Sequence, residues 1–302
     1  MTLRKWQVVL WFCLLNSLAF AQQNKIIKDD LGFFFRLSSP PQRIVSLAPN
    51  ITEILFALDL EEKIVGVTRY CDYPSKALEK GKIGGLIDLN LEKMRALNPD
   101  LIIGFRGNPL RILKKLKNLH FPVFVLEAGE NLESLYSTIE KIGLVTQKEK
   151  EAKNLVSSLK KRYEKIEATL QPVVHKPTIF LLLHGLGFWT CGKKSFLNDL
   201  LIKAKGVNVS GEIPKKWLHY NREQLIHQNP EVVIVMAKSQ EEFSKAKEWL
   251  KKESRLEMIR AIQNERIYFL DENLASRLGP RLLDALHQLA LLLHPHLFAQ
   301  EQ

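Results

Sequence analysis

Two stretches of this chain repeat one another 131 positions apart, and nothing else in it limits the fold as much. The first runs Asn90-Leu91-Glu92, a short amphipathic turn, Asn98-Pro99-Asp100, and then the apolar Leu101-Ile102-Ile103. The second runs Asn221-Arg222-Glu223, a similar turn, Asn229-Pro230-Glu231, and then Val232-Val233-Ile234. Asparagine is a strong helix N-cap, so a short helix starts at Asn90 and another at Asn221. Glu92 and Glu223 then fall in the first turn, where the helix dipole favours negative charge. Each Asn-Pro closes its helix and turns the chain into a strand. One copy alone would be ordinary helix-start chemistry. Two copies at matched positions describe two similarly built halves, each with a carboxylate on its outer face. Such a pair suits docking onto a partner with two-fold symmetry and basic pockets.

Around the repeat, short β-branched runs alternate with amphipathic stretches. Arg43–Leu47, Ile64–Thr68, Leu101–Phe105 and Pro122–Leu126 read as strands, with Ile51–Leu58 and Leu110–Leu119 as helices between them. Thr178–Leu183, Val232–Met236 and Arg266–Leu270 continue the series, and Leu282–Leu293 is a closing helix stopped by Pro295. Strand then helix, repeated, implies mostly parallel sheets flanked by helices. Thr146–Gln171 breaks the rhythm. It holds no glycine or proline, and Ala152, Leu155, Val156, Leu159, Tyr163, Ile166 and Leu170 make one apolar stripe. The spacing predicts a single helix about 35–40 Å long. The expected fold class is therefore α/β: two Rossmann-like lobes, residues 42–145 and 172–297, joined by one long rigid helix over 146–171. Residues 22–41 read as a leader arm ahead of the first lobe.

The N-terminus carries Arg4 and Lys5, an apolar run from Val8 to Leu15, and Ala19-Phe20-Ala21. The run is too short to span a bilayer, which takes about 20 residues. The pattern is that of a secretory signal peptide over residues 1–21, cut after Ala21. Bulky residues before Cys13 do not resemble a lipoprotein site. The net charge of +11 comes from lysines scattered among acids, with no aromatic-interleaved basic stripe. Together with export, this argues against a nucleic-acid partner. Cys71 and Cys191 both fall in loops expected at the crevice, where a bridge would tether the lobes.

In open parallel sheets, ligands sit beyond the carboxyl ends of the strands. The residues there are Asn50, Tyr70, Arg106, Phe188, Trp189 and Arg277, with Trp217 in the loop before Asn221. Flat aromatic walls with a few polar anchors fit a large, partly apolar guest. An enzyme fits less well. Gly185-Leu186-Gly187 has its next glycine at Gly192, the wrong spacing for a dinucleotide fingerprint, and no nucleophile elbow or phosphate-loop lysine motif occurs. The eight histidines include no close helical pair of the zinc-binding kind. His184 and His219 could face the crevice and ligate haem iron. His294-Pro295-His296 reads as a solvated tail.

These segments resemble the cobalamin-binding periplasmic component of an ABC importer. The wider group is the helical-backbone metal-receptor type of solute-binding protein, which includes haem and ferric-siderophore binders. The likeness runs through residues 43–53, Gly66-Val67-Thr68-Arg69-Tyr70-Cys71-Asp72-Tyr73-Pro74, Asn90-Leu91-Glu92, Thr190-Cys191-Gly192-Lys193-Lys194-Ser195 and Arg277-Leu278-Gly279-Pro280-Arg281-Leu282. The Tyr-x-Asp-Tyr-Pro segment is the most specific. The resemblance implies a monomeric periplasmic carrier without catalysis or resident cofactor, with cobalamin or another large metal chelate as cargo. It implies that Tyr70, Trp189, Trp217 and Arg277 touch the ligand. It also implies that Glu92 and Glu223 engage arginines on a permease dimer. Leu86 stands where cobalamin binders can place tryptophan, and Asn273 where an aspartate can precede the arginine by four.

Overall fold

The computed structural model describes residues 25–299. The segment read as a signal peptide, residues 1–21, lies outside the described residues.

The described chain opens with β1 (Lys25–Lys28) and β2 (Phe34–Leu37), an antiparallel hairpin. The first half then runs β3 (Ile44–Ser46), α1 (Pro49–Ala57), β4 (Ile64–Val67), α2 (Leu91–Ala96), β5 (Leu101–Phe105), α3 (Leu110–Asn118) and β6 (Val123–Leu126). Helices α4 (Leu132–Thr146) and α5 (Glu149–Thr169) follow. The second half runs β7 (Thr178–Leu182), β8 (Trp189–Cys191), α6 (Phe196–Lys203), β9 (Val207–Asn208), β10 (Trp217–His219), α7 (Arg222–Gln228), β11 (Val232–Ala237), α8 (Gln240–Lys252), α9 (Arg260–Gln263), β12 (Ile267–Asp271), α10 (Glu272–Ala275) and α11 (Leu282–Leu293).

Two four-stranded parallel sheets result, ordered β4-β3-β5-β6 and β9-β7-β11-β12. Both follow the same order: second strand, first, third, fourth. In each, the strand order reverses between the first and third strands, which opens a crevice at their carboxyl ends. The fold is thus α/β with mostly parallel sheets, as the alternation predicts.

The repeat is structural down to its hydrogen bonds. Asn90 Oδ1 accepts from Lys93 N at 2.8 Å, and Asn221 Oδ1 accepts from Glu223 N at 2.8 Å and Gln224 N at 3.1 Å. Asn98 and Asn229 both take left-handed backbone, φ 42° and 46°, to end their helices. Asparagine tolerates that region better than most side chains. The next acid does the same work in each half. Asp100 accepts from the backbone of Gln42 and Arg43 ahead of β3, at 2.7 and 2.9 Å. Glu231 accepts from Thr178 N at the start of β7, at 2.9 Å.

The connection between the halves differs from the single helix predicted over 146–171. Thr146 closes α4, Gln147 turns in left-handed backbone at φ 56°, and α5 begins at Glu149. With 21 residues, α5 is about 31 Å long. A Cβ on Gly143 would lie 2.4 Å from the Cβ of Ala152, so the glycine lets α4 and α5 touch. The stripe Ala152, Val156, Leu159 and Ile166 is buried against this partner helix and the second half. One continuous apolar cluster runs from Ile44 and Ile54 through Leu135, Ile139 and Val156 to Leu200 and Leu286.

Two other segments depart from expectation. Residues 25–37 are a packed hairpin, not a leader arm. Asp29 is 4% exposed and accepts from Leu31 N, Phe33 N and Lys117 Nζ, while Phe35 meets the Phe124 ring edge-on at 5.8 Å. His294 is not solvated either. It is buried, its Nε2 lies 3.1 Å from Ala204 O, and desolvation holds its pKa below the ordinary value.

Candidate functional site: the interlobe crevice

The crevice lies where the two sets of strand ends face each other. Pro49 opens α1 directly after β3, so Asn50 stands at the strand order reversal. Asn108 fixes the opposite lip: it donates Nδ2 to Leu47 O at 3.1 Å and accepts from Phe105 N at 3.0 Å. The loop after β4 delivers Arg69, Tyr70 and Asp72. From the second half come Lys238 after β11 and the segment from Glu272 to Leu278 after β12. Asn50, Tyr70, Asp72, Leu86, Phe105, Lys238, Glu272 and Arg277 are among the side chains lining a chamber of about 510 Å³.

A second chamber of about 410 Å³ adjoins it through the shared Glu272 and Ser276. Its walls are Leu183, His184, Leu197, Met236, Trp189 and Trp217. Trp217 is not in a loop as predicted. It lies on β10, which pairs antiparallel with β8, setting Trp217 opposite Cys191 and His219 opposite Trp189. Alternation along the ribbon puts both tryptophans on one face. They remain 47% and 42% exposed, large apolar rings held open to the crevice. A third, smaller annex of about 250 Å³ is reached past His184, Lys238 and Glu272.

The seam beneath these chambers is ionic. Glu53, from the buried face of α1, has a side chain only 2% exposed. It receives Arg281 Nη2 at 2.6 Å, Arg281 Nε at 3.1 Å and Arg277 Nη1 at 3.2 Å. Arg277 also forks onto Asp72 at 2.5 and 3.0 Å and donates to Asn273 Oδ1 at 3.2 Å. Arg281 stacks over the Tyr73 ring at 3.7 Å. Hydrogen bonding from Arg277 holds the Asp72 carboxyl below the usual carboxylate range. Burial opposes the Arg277 charge, but Asp72 and Glu53 outweigh it and raise its pKa. Arg277 therefore lines the first chamber with its guanidinium committed across the seam.

Other expected residues lie elsewhere. Phe188 packs behind β8 on Trp249, centroids 5.3 Å apart, and lines none of these chambers. The alternation that turns Trp189 toward the crevice turns Phe188 away. Arg106 is exposed and paired with Glu127 at 3.0 Å, outside the lining. His184 lines two chambers, whereas His219 stacks edge-on against Trp189 at 5.8 Å. Cys71 and Cys191 are both free and buried. Cys71 Sγ sits 3.1 Å from Thr52 Oγ1 and Cys191 Sγ 3.5 Å from Asn208 Nδ2, each within its own half. Burial raises the Cys71 thiol pKa and pushes that of Cys191 up to about 12. Glu92 is exposed with no ion pair among the described residues, and Glu223 is exposed but lies 3.1 Å from Arg255.

A family model of periplasmic binding proteins matches residues 44–274. The chain belongs to that family. A vitamin B12-binding protein of Vibrio cholerae is 30% identical over 258 residues, covering 82% of this chain and 88% of the relative. An uncharacterized ABC transporter substrate-binding lipoprotein of Bacillus subtilis is 29% identical over 270 residues, covering 87% and 83%. Among solved structures, the periplasmic vitamin B12-binding protein of Vibrio cholerae superposes with a TM-score of 0.74 at 26% identity, over 87% of this chain and 99% of that one. A periplasmic haem-binding protein of Pseudomonas aeruginosa gives 0.75 at 26%, over 84% and 93%. As a periplasmic binding protein, this chain has the fold of a transport receptor rather than of an enzyme. No helix among the described residues is long and apolar enough to cross a membrane.

Proposed function

We propose that this periplasmic binding protein captures cobalamin or a related corrinoid in the interlobe crevice and delivers it to an ABC permease. The observation that carries the reading is the connected pair of chambers. One, the more polar of the two, holds Tyr70 and Asn50, and the other is walled by Trp189 and Trp217. A corrinoid is a flat macrocycle with a polar rim, and such a guest gains from stacking on rings that are otherwise half exposed. The B12-binding relatives support the same reading. Binding is non-covalent. Leu86 lines the chamber opposite the tryptophans and offers apolar contact in place of a ring.

Haem is the second reading. It is favoured by His184, whose side chain is 72% exposed while lining two of the chambers, and by the haem-binding structural neighbour. Delivery uses Glu92 and Glu223, one at the start of a short helix in each half, docking onto basic pockets of a two-fold permease. Export by a signal peptide cut after Ala21 and a monomeric state complete the proposal.

Replacing Trp189 and Trp217 together with alanine tests the site. Each lost ring is expected to weaken cyanocobalamin binding by about tenfold or more. Unchanged affinity in the double variant would place the ligand elsewhere.

A further inference from the structure

Glu272 stands where all three chambers meet and lines each of them. Its side chain is only 14% exposed, yet its carboxylate accepts no hydrogen bond among the described residues. Its one ionic neighbour, His184 Nδ1, is 3.9 Å away. A guest that brings N–H groups into the chambers would give this largely covered carboxylate the donors it lacks.

Lys238 is its complement. It lines the first chamber and the annex, and its ammonium has no ion-pair partner among the described residues. The other cations of these walls are engaged: Arg69 with Asp88, Arg277 with Asp72 and Lys245 with Glu241. The neighbouring helix start is closed as well. Ser239 Oγ accepts from Glu242 N at 3.2 Å, and Glu242 Oε2 accepts from Lys238 N at 2.9 Å. What the wall offers a ligand is therefore the Lys238 ammonium itself.

An unengaged acceptor and an unengaged donor on the same two chambers are the two halves of what a primary carboxamide needs. The amide nitrogen donates and the amide oxygen accepts. A carboxylate suits Lys238 but is repelled by Glu272. We infer that Glu272 and Lys238 form an amide-reading pair that selects macrocycles edged with carboxamides over those edged with carboxylates. This rests on the corrinoid reading above and assigns its specificity.

The test is calorimetric titration of the wild type, Glu272→Gln and Lys238→Met with two probes that share ring and metal. Dicyanocobinamide carries carboxamide arms, and dicyanocobyrinic acid carries carboxylates. The wild type is expected to prefer the amide form by about tenfold or more. Glu272→Gln should tighten the acid and bring the preference within about threefold, and Lys238→Met should weaken both probes. If both corrinoids bind and Glu272→Gln keeps the wild-type preference, the amide-reading pair is wrong while the corrinoid reading stands. If neither corrinoid binds any of the proteins, both fall together.

Discussion

Arg277 and Arg281 reach from the second half into the first, where Glu53 and Asp72 receive them. Arginine suits this place because its planar fork can serve two carboxylates at once. Because Arg277 lowers the Asp72 pKa, the pair contributes stability that is complete above the ordinary carboxylate range. That contribution fades as pH falls through this range towards the lowered folded value. Asp72→Asn should therefore lower the melting temperature at pH 7, and the deficit should begin to shrink near about pH 4 and close only as pH falls past the lowered folded value. A deficit that persists unchanged at low pH would show that the charge is not the cause. At this scale the sequence was readable where residues follow strand ends, as with Asn50, Tyr70 and Trp189. It misled for Phe188, because the facing of an isolated ribbon depends on a pairing with β10 that no local pattern reveals. Glu53 was overlooked. The available signal was an acid inside the otherwise apolar Ile51–Leu58 stretch, on the face that has to be buried.

Helices α2 and α7 are short, and neither would persist alone in water. Their asparagine caps and the Asn-Pro exits hold them, and the acid that follows ties each to the first strand of its sheet. The repeat therefore has two roles, one visible as strand anchoring by Asp100 and Glu231, the other proposed for Glu92 and Glu223. Glu92→Ala combined with Glu223→Ala should leave corrinoid affinity within about twofold, since neither side chain lines the crevice. Transport through the cognate permease should fall sharply, and unchanged transport would remove the docking role. Strands and most helices were legible because their periodicities are strong. The hairpin of residues 25–37 was not, because its stability comes from Asp29 meeting Lys117 and Phe35 meeting Phe124, contacts distant in sequence. The start of α5 was misplaced for a similar reason: the left-handed turn at Gln147 leaves the apolar stripe unbroken.

Across the whole molecule, one apolar cluster passes from the first half through α4 and α5 into the second. Polar ties reinforce it: Leu132 N donates to Asp199 at 2.9 Å and Lys216 Nζ to Gly129 O at 2.8 Å. Halves joined this way are expected to tilt slightly rather than swing, because large opening would expose packed apolar surface. The radius of gyration from X-ray scattering should change by less than about 1 Å on saturation with ligand. A change several times larger would refute the rigid connection. The most direct measurement is calorimetric titration of the purified protein with cyanocobalamin, haemin and a ferric siderophore under one set of conditions. One-to-one binding of cyanocobalamin, with the other two at least about a hundredfold weaker, is the predicted result. Tight binding of haemin or the siderophore with no heat from cyanocobalamin would contradict it.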